Sequence, residues 1–293
     1  MAHDGGQGDR KMTDSRREYW RRKWFNLLML GLSSAAAGVA ILVLALILGY
    51  TLVHGFAFLN LDFLTHATKP VGEAGGGMRN EIFGTFILVL LGSAFALPIG
   101  LGAGVFVSEF AGPKMALVIQ FTADILAGVP SIVVGVFAYA ILVRPMHSYS
   151  ALSAGVALAV IMIPVVARTA EESLRLVPNS MREAALALGV TRWRAIVGVV
   201  IPGALTGIIT GAMLAVARIA GETAPLIFTA LGSQFGVQGL FKPIGALPLQ
   251  IYNYAMSPYP DWQQQAWAGA FLLVLLVLII SLTVRWVSRR RHA

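Results

Sequence analysis

The sequence predicts an all-α integral membrane protein with six transmembrane helices, and three observations carry that prediction. Of the 293 residues, 57% are hydrophobic and 12% charged, where a soluble domain carries about 25% charged residues; mean hydropathy is +0.75. Apolar runs reach the ~20 residues that a helix needs to cross a bilayer. Lysine and arginine are spread very unevenly about those runs.

The runs place spans at about 25–53, 82–108, 115–143, 151–169, 201–231 and 266–287. The chain then divides into a basic tail (1–24), a first helix with its outer loop (25–79), a five-helix core (80–288) that includes a polar loop at 170–200, and a short tail (289–293). Seventeen of the 22 Lys and Arg residues fall on the side of both tails, Lys114 and the 170–200 loop with its approach. Lys69, Arg79, Arg144 and Lys242 fall on the other side, and Arg218 lies within a span. By the positive-inside rule both termini and the polar loop are expected in the cytoplasm.

The amino tail packs Arg10, Lys11, Arg16, Arg17, Arg21, Arg22 and Lys23 beside Tyr19, Trp20 and Trp24. A basic cluster abutting a membrane span reads as a topology signal and interfacial anchor, so the basic pI does not point to nucleic acid. The run after it exceeds a signal-peptide core and lacks a small-residue cleavage site, so the first span is expected to be uncleaved. With no cysteine in the chain, disulfides, thiolate metal sites and cysteine nucleophiles are excluded.

The polar island 180–202 reads as a helical hairpin. Ser180 and Glu183 have capping-box spacing; Met181, Ala184, Ala185 and Leu188 share one helical face; Gly189 supplies a left-handed end and Thr191 a second cap. Ala184 and Ala185 leave that face without bulk, which suits a partner's cleft.

Arg218, about fifteen residues into the fifth span, is expected near mid-bilayer, where an arginine costs ~2.5 to 3.5 kcal/mol on insertion scales and needs a partner or a task. Glu222 follows one turn later, and Pro225 is expected to bend the helix beside the pair. The two charges neutralise each other on one reading. On the other, the guanidinium fork, which remains charged in any environment, receives an oxyanion. Asp124 in the third span is expected to be a buried charge, satisfied by Arg218 or by an arginine of a partner. Arg168, followed by Glu171 and Glu172, is either a boundary residue or the inner end of an anion path.

Gly100 and Gly104, and Gly207 and Gly211, have the spacing of close helix contacts. Pro98, Pro130, Pro164 and Pro225 are expected to interrupt spans, as in transporters. Outside, 72–77 reads as a flexible glycine stretch, and the aromatics Phe235, Phe241, Tyr252, Tyr254, Tyr259, Trp262 and Trp267 as a headgroup belt or a landing surface for a soluble protein. The five histidines lie in tails or outer segments, and there is no metalloprotease, nucleophile-elbow or phosphate-loop motif, so the chain is read as a transporter subunit with no catalytic and no metal site.

Glu183-Ala184-Ala185, then Gly189, then Ile201-Pro202 resembles the EAA loop of bacterial ATP-binding-cassette importer permeases with a MetI-like transmembrane domain. The segments 164–172 and 217–226, including Arg218, Gly221, Glu222 and Thr223, are similar to the PstA branch of phosphate permeases. That resemblance implies a bacterial inner-membrane importer of inorganic phosphate. It implies a substrate path through Arg218, Glu222, Thr223 and Arg168, and docking on an ATPase through Glu183, Ala184, Ala185, Gly189 and Pro202. The implied partners are a homologous PstC-like permease, a PstB-like ATPase dimer carrying ATP and Mg, a PstS-like periplasmic or surface binding protein and membrane lipid, with no cofactor in this chain. The alternatives are a permease of the same superfamily for another oxyanion or an amino acid, and a secondary anion carrier.

Overall fold

The computed structural model describes residues 6–70, 73 and 75–290, with side chains described for 18–70, 73 and 75–283. Arg10, Lys11, Arg16, Arg17 and the basic side chains from Arg285 onward, together with Gly72, lie outside that set.

The regular secondary structure of the described residues is all helical, apart from one isolated bridge between Leu231 and Ile244. The helices are α1 (Gly6–Phe56), α2 (Leu61–Thr65), α3 (Arg79–Glu109), α4 (Pro113–Gly128), α5 (Ser131–Met146), α6 (Ala151–Arg175), α7 (Asn179–Ala187), α8 (Arg192–Ala220), α9 (Ala224–Thr229), α10 (Leu247–Ala255) and α11 (Pro260–Arg290). Five of them are long and apolar enough to cross a membrane; α4 and α5, bent by 98° at Val129–Pro130, make a sixth span when taken together. The chain forms two units, Met1–Val53 and His54–Ala293. The first is one helix, which continues back through the expected tail to Gly6; its apolar residues have no core of their own, as befits a helix solvated by lipid.

In the second unit α6 is the most buried span. Its small residues let α3 approach. A Cβ at Gly100 would lie 2.8 Å from the Val166 Cβ, and one at Gly104 would lie 2.7 Å from the Ala170 Cβ. On an adjoining strip of α6, about 60° around the helix, Gly207 meets Ser173 and Gly211 meets Thr169. Both expected glycine pairs are therefore contact points, where backbones pack without side-chain bulk.

The prolines behave differently from one another. Pro98 and Pro164 lie inside α3 and α6, which run on unbroken. Pro130 marks the sharp bend. Pro225 does not bend the fifth span, because that span has already ended at Ala220; it sits in the first turn of α9, where its missing N–H costs no hydrogen bond. Two further prolines follow π-helical turns: Pro145 after Tyr139–Val143 and Pro202 after Ile196–Val200. A proline ring crowds the carbonyl four residues back, and a turn widened by one residue relieves that clash.

Between α2, α10 and α11, Tyr254 is buried and stacks on Trp262 at 4.5 Å, in a small core with Phe63, Met78 and Leu247. Tyr254 is thus a core residue and not part of a headgroup belt, whereas Phe235 and Phe241 are exposed.

Candidate functional site

Arg218 occupies the last turn of α8, three residues before the chain breaks at Gly221–Thr223 and restarts as α9. The expected continuous span to about 231 is corrected accordingly. α6 and α8 run antiparallel, with Gly207 opposite Ser173 and Gly211 opposite Thr169. Continuing that register brings Arg218 level with about Met162, the middle of the Ala151–Arg175 span.

Arg218 Nε lies 3.6 Å from Glu222 Oε1. This is an ion pair too long to be a hydrogen bond, and it uses one edge of the guanidinium. Among the described residues no other ion pair or hydrogen bond engages the Arg218 side chain. Its side chain is 51% exposed and that of Glu222 16%, so the carboxylate is held within the fold while the donor fork faces outward from it. Thr223 sits in the break, at the cap position of α9, with no side-chain capping bond. Pro225 packs over Gly135 of α5, so the restarted α9 lies against the restarted α5.

Arg168 belongs to a second cluster. Its Nε is 3.1 Å from Asp124 Oδ1 and its NH1 3.3 Å from Glu171 Oε2. Glu171 also pairs with Arg175 at 2.9 Å and accepts from Gln120. By the same register Arg168 lies six residues, about 9 Å, from Arg218 along the α6 axis, toward the helix-turn-helix. Asp124 is not the buried charge expected of it: its side chain is 56% exposed and its partner is Arg168, not Arg218. The buried carboxylate is Glu171, 4% exposed.

The polar loop forms a helix-turn-helix. α7 starts at Asn179 after an extended Pro178, so Ser180 already lies inside the helix and makes no capping bond; the capping box is not formed. Thr191 takes the cap position of α8 without a side-chain bond. Gly189 is left-handed, φ +77°, as its role at the end of α7 requires. Of the apolar face, Ala185 is buried, whereas Met181, Ala184 and Leu188 are exposed, Leu188 at 84%. Glu183 is exposed beside them, and Pro202 lies in the first turn of α8's straight section, directly after the π turn.

Two carboxylates escaped the sequence reading. Glu109, at the end of α3, pairs with Arg182 of α7 at 2.8 Å; a glutamate at the edge of an apolar run gives no sign that it is buried. Glu81, in the first turn of α3, is 1% exposed, and neither of its oxygens has a hydrogen-bond partner among the described residues.

Comparison with known proteins agrees with this architecture. The family model described as "Binding-protein-dependent transport system inner membrane component" matches residues 96–293. The phosphate transport system permease protein PstA of Yersinia pestis is 41% identical over 290 residues, 98% of each chain. Its counterpart in Haemophilus influenzae is 42% identical over 276 residues, 94% of this chain and 97% of the relative. Among solved structures, an inward-facing form of the MetNI methionine ABC transporter aligns with TM-score 0.59 and 22% identity, covering 72% of this chain and 94% of that one; the shared property is the fold. The chain therefore belongs to the binding-protein-dependent transport system inner membrane components, and within them to the PstA permeases.

Proposed function

We propose that this chain is the permease subunit of an ATP-driven importer of inorganic phosphate, and that phosphate passes Arg218 at the break between α8 and α9. The Arg218–Glu222 pair carries the reading. A guanidinium at mid-depth, held on one edge by a long ion pair, has its remaining donors available to a phosphate oxygen. Glu222 occupies the arginine when no anion is present and accepts from a protonated phosphate when one is. Interrupted helices at mid-membrane are a common way to build a substrate site, and both breaks of this chain, Val129–Pro130 and Gly221–Thr223, adjoin the α5–α9 contact. Thr223 adds a hydroxyl to the path.

Arg168 is placed at the inner end of the path. Two carboxylates already engage it, so it serves phosphate only when Asp124 or Glu171 lets go.

The exposed Met181, Ala184 and Leu188 form an apolar face on an otherwise polar loop, and such a face calls for a partner. We assign it to an ATPase subunit, PstB-like, with Glu183 beside it and Gly189 and Pro202 fixing the geometry of its two limbs. ATP and Mg²⁺ belong to that chain. A PstC-like permease completes the path and a PstS-like binding protein delivers phosphate from outside. The distribution of Lys and Arg supports both termini and this loop in the cytoplasm of a bacterial inner-membrane protein.

The test is ATP-dependent uptake of labelled phosphate by vesicles containing the assembled complex, wild type against Arg218→Gln. Uptake is expected to fall at least about thirtyfold, the equivalent of ~2 kcal/mol, with assembly and ATP hydrolysis retained. Undiminished uptake would make Arg218 a structural charge.

A further inference from the structure

Glu109 ends α3 and is 8% exposed. A buried carboxylate is costly there, because the carbonyls of a helix C-terminus already present negative charge. Arg182 compensates from α7, with NH2 at 2.8 Å from Oε1 and Nε at 3.4 Å from Oε2, and Ser108 donates to Oε1 at 3.1 Å. The same guanidinium also donates to the Leu174 carbonyl at 2.8 Å, to the Val177 carbonyl and to Asn179 Oδ1 at 3.2 Å. One side chain thus binds the end of α3, the last carbonyls of α6 and the start of α7. From the other side of the Gly189 turn, Arg192 donates to the Glu109 backbone carbonyl and lies 5.2 Å over the Phe110 ring. Both limbs of the helix-turn-helix grip Glu109, one by its side chain and the other by its backbone carbonyl.

What α3 touches gives this grip its meaning. Gly100 and Gly104 lock α3 to Val166 and Ala170, on either side of Arg168, and Gly92 meets Ile219, the neighbour of Arg218. A displacement applied at Glu109 therefore reaches both arginines through backbone-close contacts. The direct route up α8 passes through the π turn at 196–200, where the regular hydrogen-bond ladder is interrupted.

We infer that the Glu109–Arg182 pair is the positioning contact through which movement of the helix-turn-helix is delivered to α3 and, through it, to the phosphate path. The inference rests on the reading that this segment docks on an ATPase.

The reconstituted importer tests it, with bound ATPase, ATP hydrolysis and labelled-phosphate uptake measured on the same preparation. Glu109→Gln and Arg182→Lys keep size but lose the bidentate pair; both are expected to retain the ATPase and its hydrolysis while phosphate moved per ATP falls about tenfold. The charge exchange Glu109→Arg with Arg182→Glu should recover part of that loss. Wild-type stoichiometry in Glu109→Gln overturns the inference, and so does loss of uptake in strict proportion to loss of assembled complex across all three variants, which marks a contact needed only for folding. Glu183→Lys separates the two readings. If it sheds the ATPase while Glu109→Gln remains coupled, only the present inference fails; if it keeps the ATPase and full coupling, the docking reading fails and takes this one with it.

Discussion

Glu171 and Asp124 share one arginine, yet they have opposite weight. Asp124 is 56% exposed, so this chain encloses its 3.1 Å pair with Arg168 only in part; exposed pairs contribute at most about 1 kcal/mol. Glu171 is 4% exposed and accepts from Arg168, Arg175 and Gln120, and breaking a buried network of this kind costs ~3 kcal/mol or more. Asp124→Asn is expected to leave the melting temperature of the solubilised complex almost unchanged, whereas Glu171→Ala lowers it by several degrees. Glu81 points the other way. Its unpartnered buried oxygens make the carboxylate a net cost, so Glu81→Met should raise the melting temperature, by roughly 1 kcal/mol of stability. None of these contrasts was legible in the sequence. Charge type shows in a sequence, but burial depends on which small residues on neighbouring helices let a carboxylate in.

At the scale of the helices, hydropathy located every span, because length and apolarity are set by the bilayer and not by the neighbours. It misjudged where helices break. The fifth span was read through to about 231, since Gly221, Thr223 and Pro225 all sit in an apolar context, whereas the interruption expected at Pro130 is the 98° bend of the third. The glycine pairs were legible because close approach demands the absence of a side chain. That demand is also testable: Gly104→Val places a branched side chain 2.7 Å from the Ala170 Cβ and should destabilise the complex by about 1 to 3 kcal/mol. Gly102→Ala, two residues away with nothing within 4 Å of the added carbon, should be silent in the same thermal-shift measurement.

For the whole molecule, the proposed orientation can be read chemically, since the chain contains no cysteine. Single cysteines replacing the exposed Leu188 and Phe241 would be unique labels. A membrane-impermeant maleimide applied to intact cells stripped of their outer membrane should modify the Phe241→Cys chain and leave Leu188→Cys untouched until the membrane is opened. The reverse pattern would invert the topology and separate the apolar face of α7 from any cytoplasmic ATPase. The helix-turn-helix face and the Arg218 segment stood out in the sequence because each sets polar residues against an apolar background. The α3 terminus that both limbs hold did not, because its importance comes from contacts across about 73 residues of chain, such as Glu109 with Arg182.

The π turn at 196–200 also makes α8 an instrument of angle. A turn closed over one extra residue stores that residue, and if it closed as ordinary α-helix the limb at Arg192–Ala195 would rotate by about 100° relative to Gly207, Gly211 and Arg218. Pro202 holds the turn open, so it sets the azimuth of the Arg192–Ala195 limb against that of the arginine. Pro202→Ala alone should therefore lower phosphate moved per ATP, while Pro202→Ala combined with deletion of Gly198, which removes the stored residue, should bring limb and arginine back into phase.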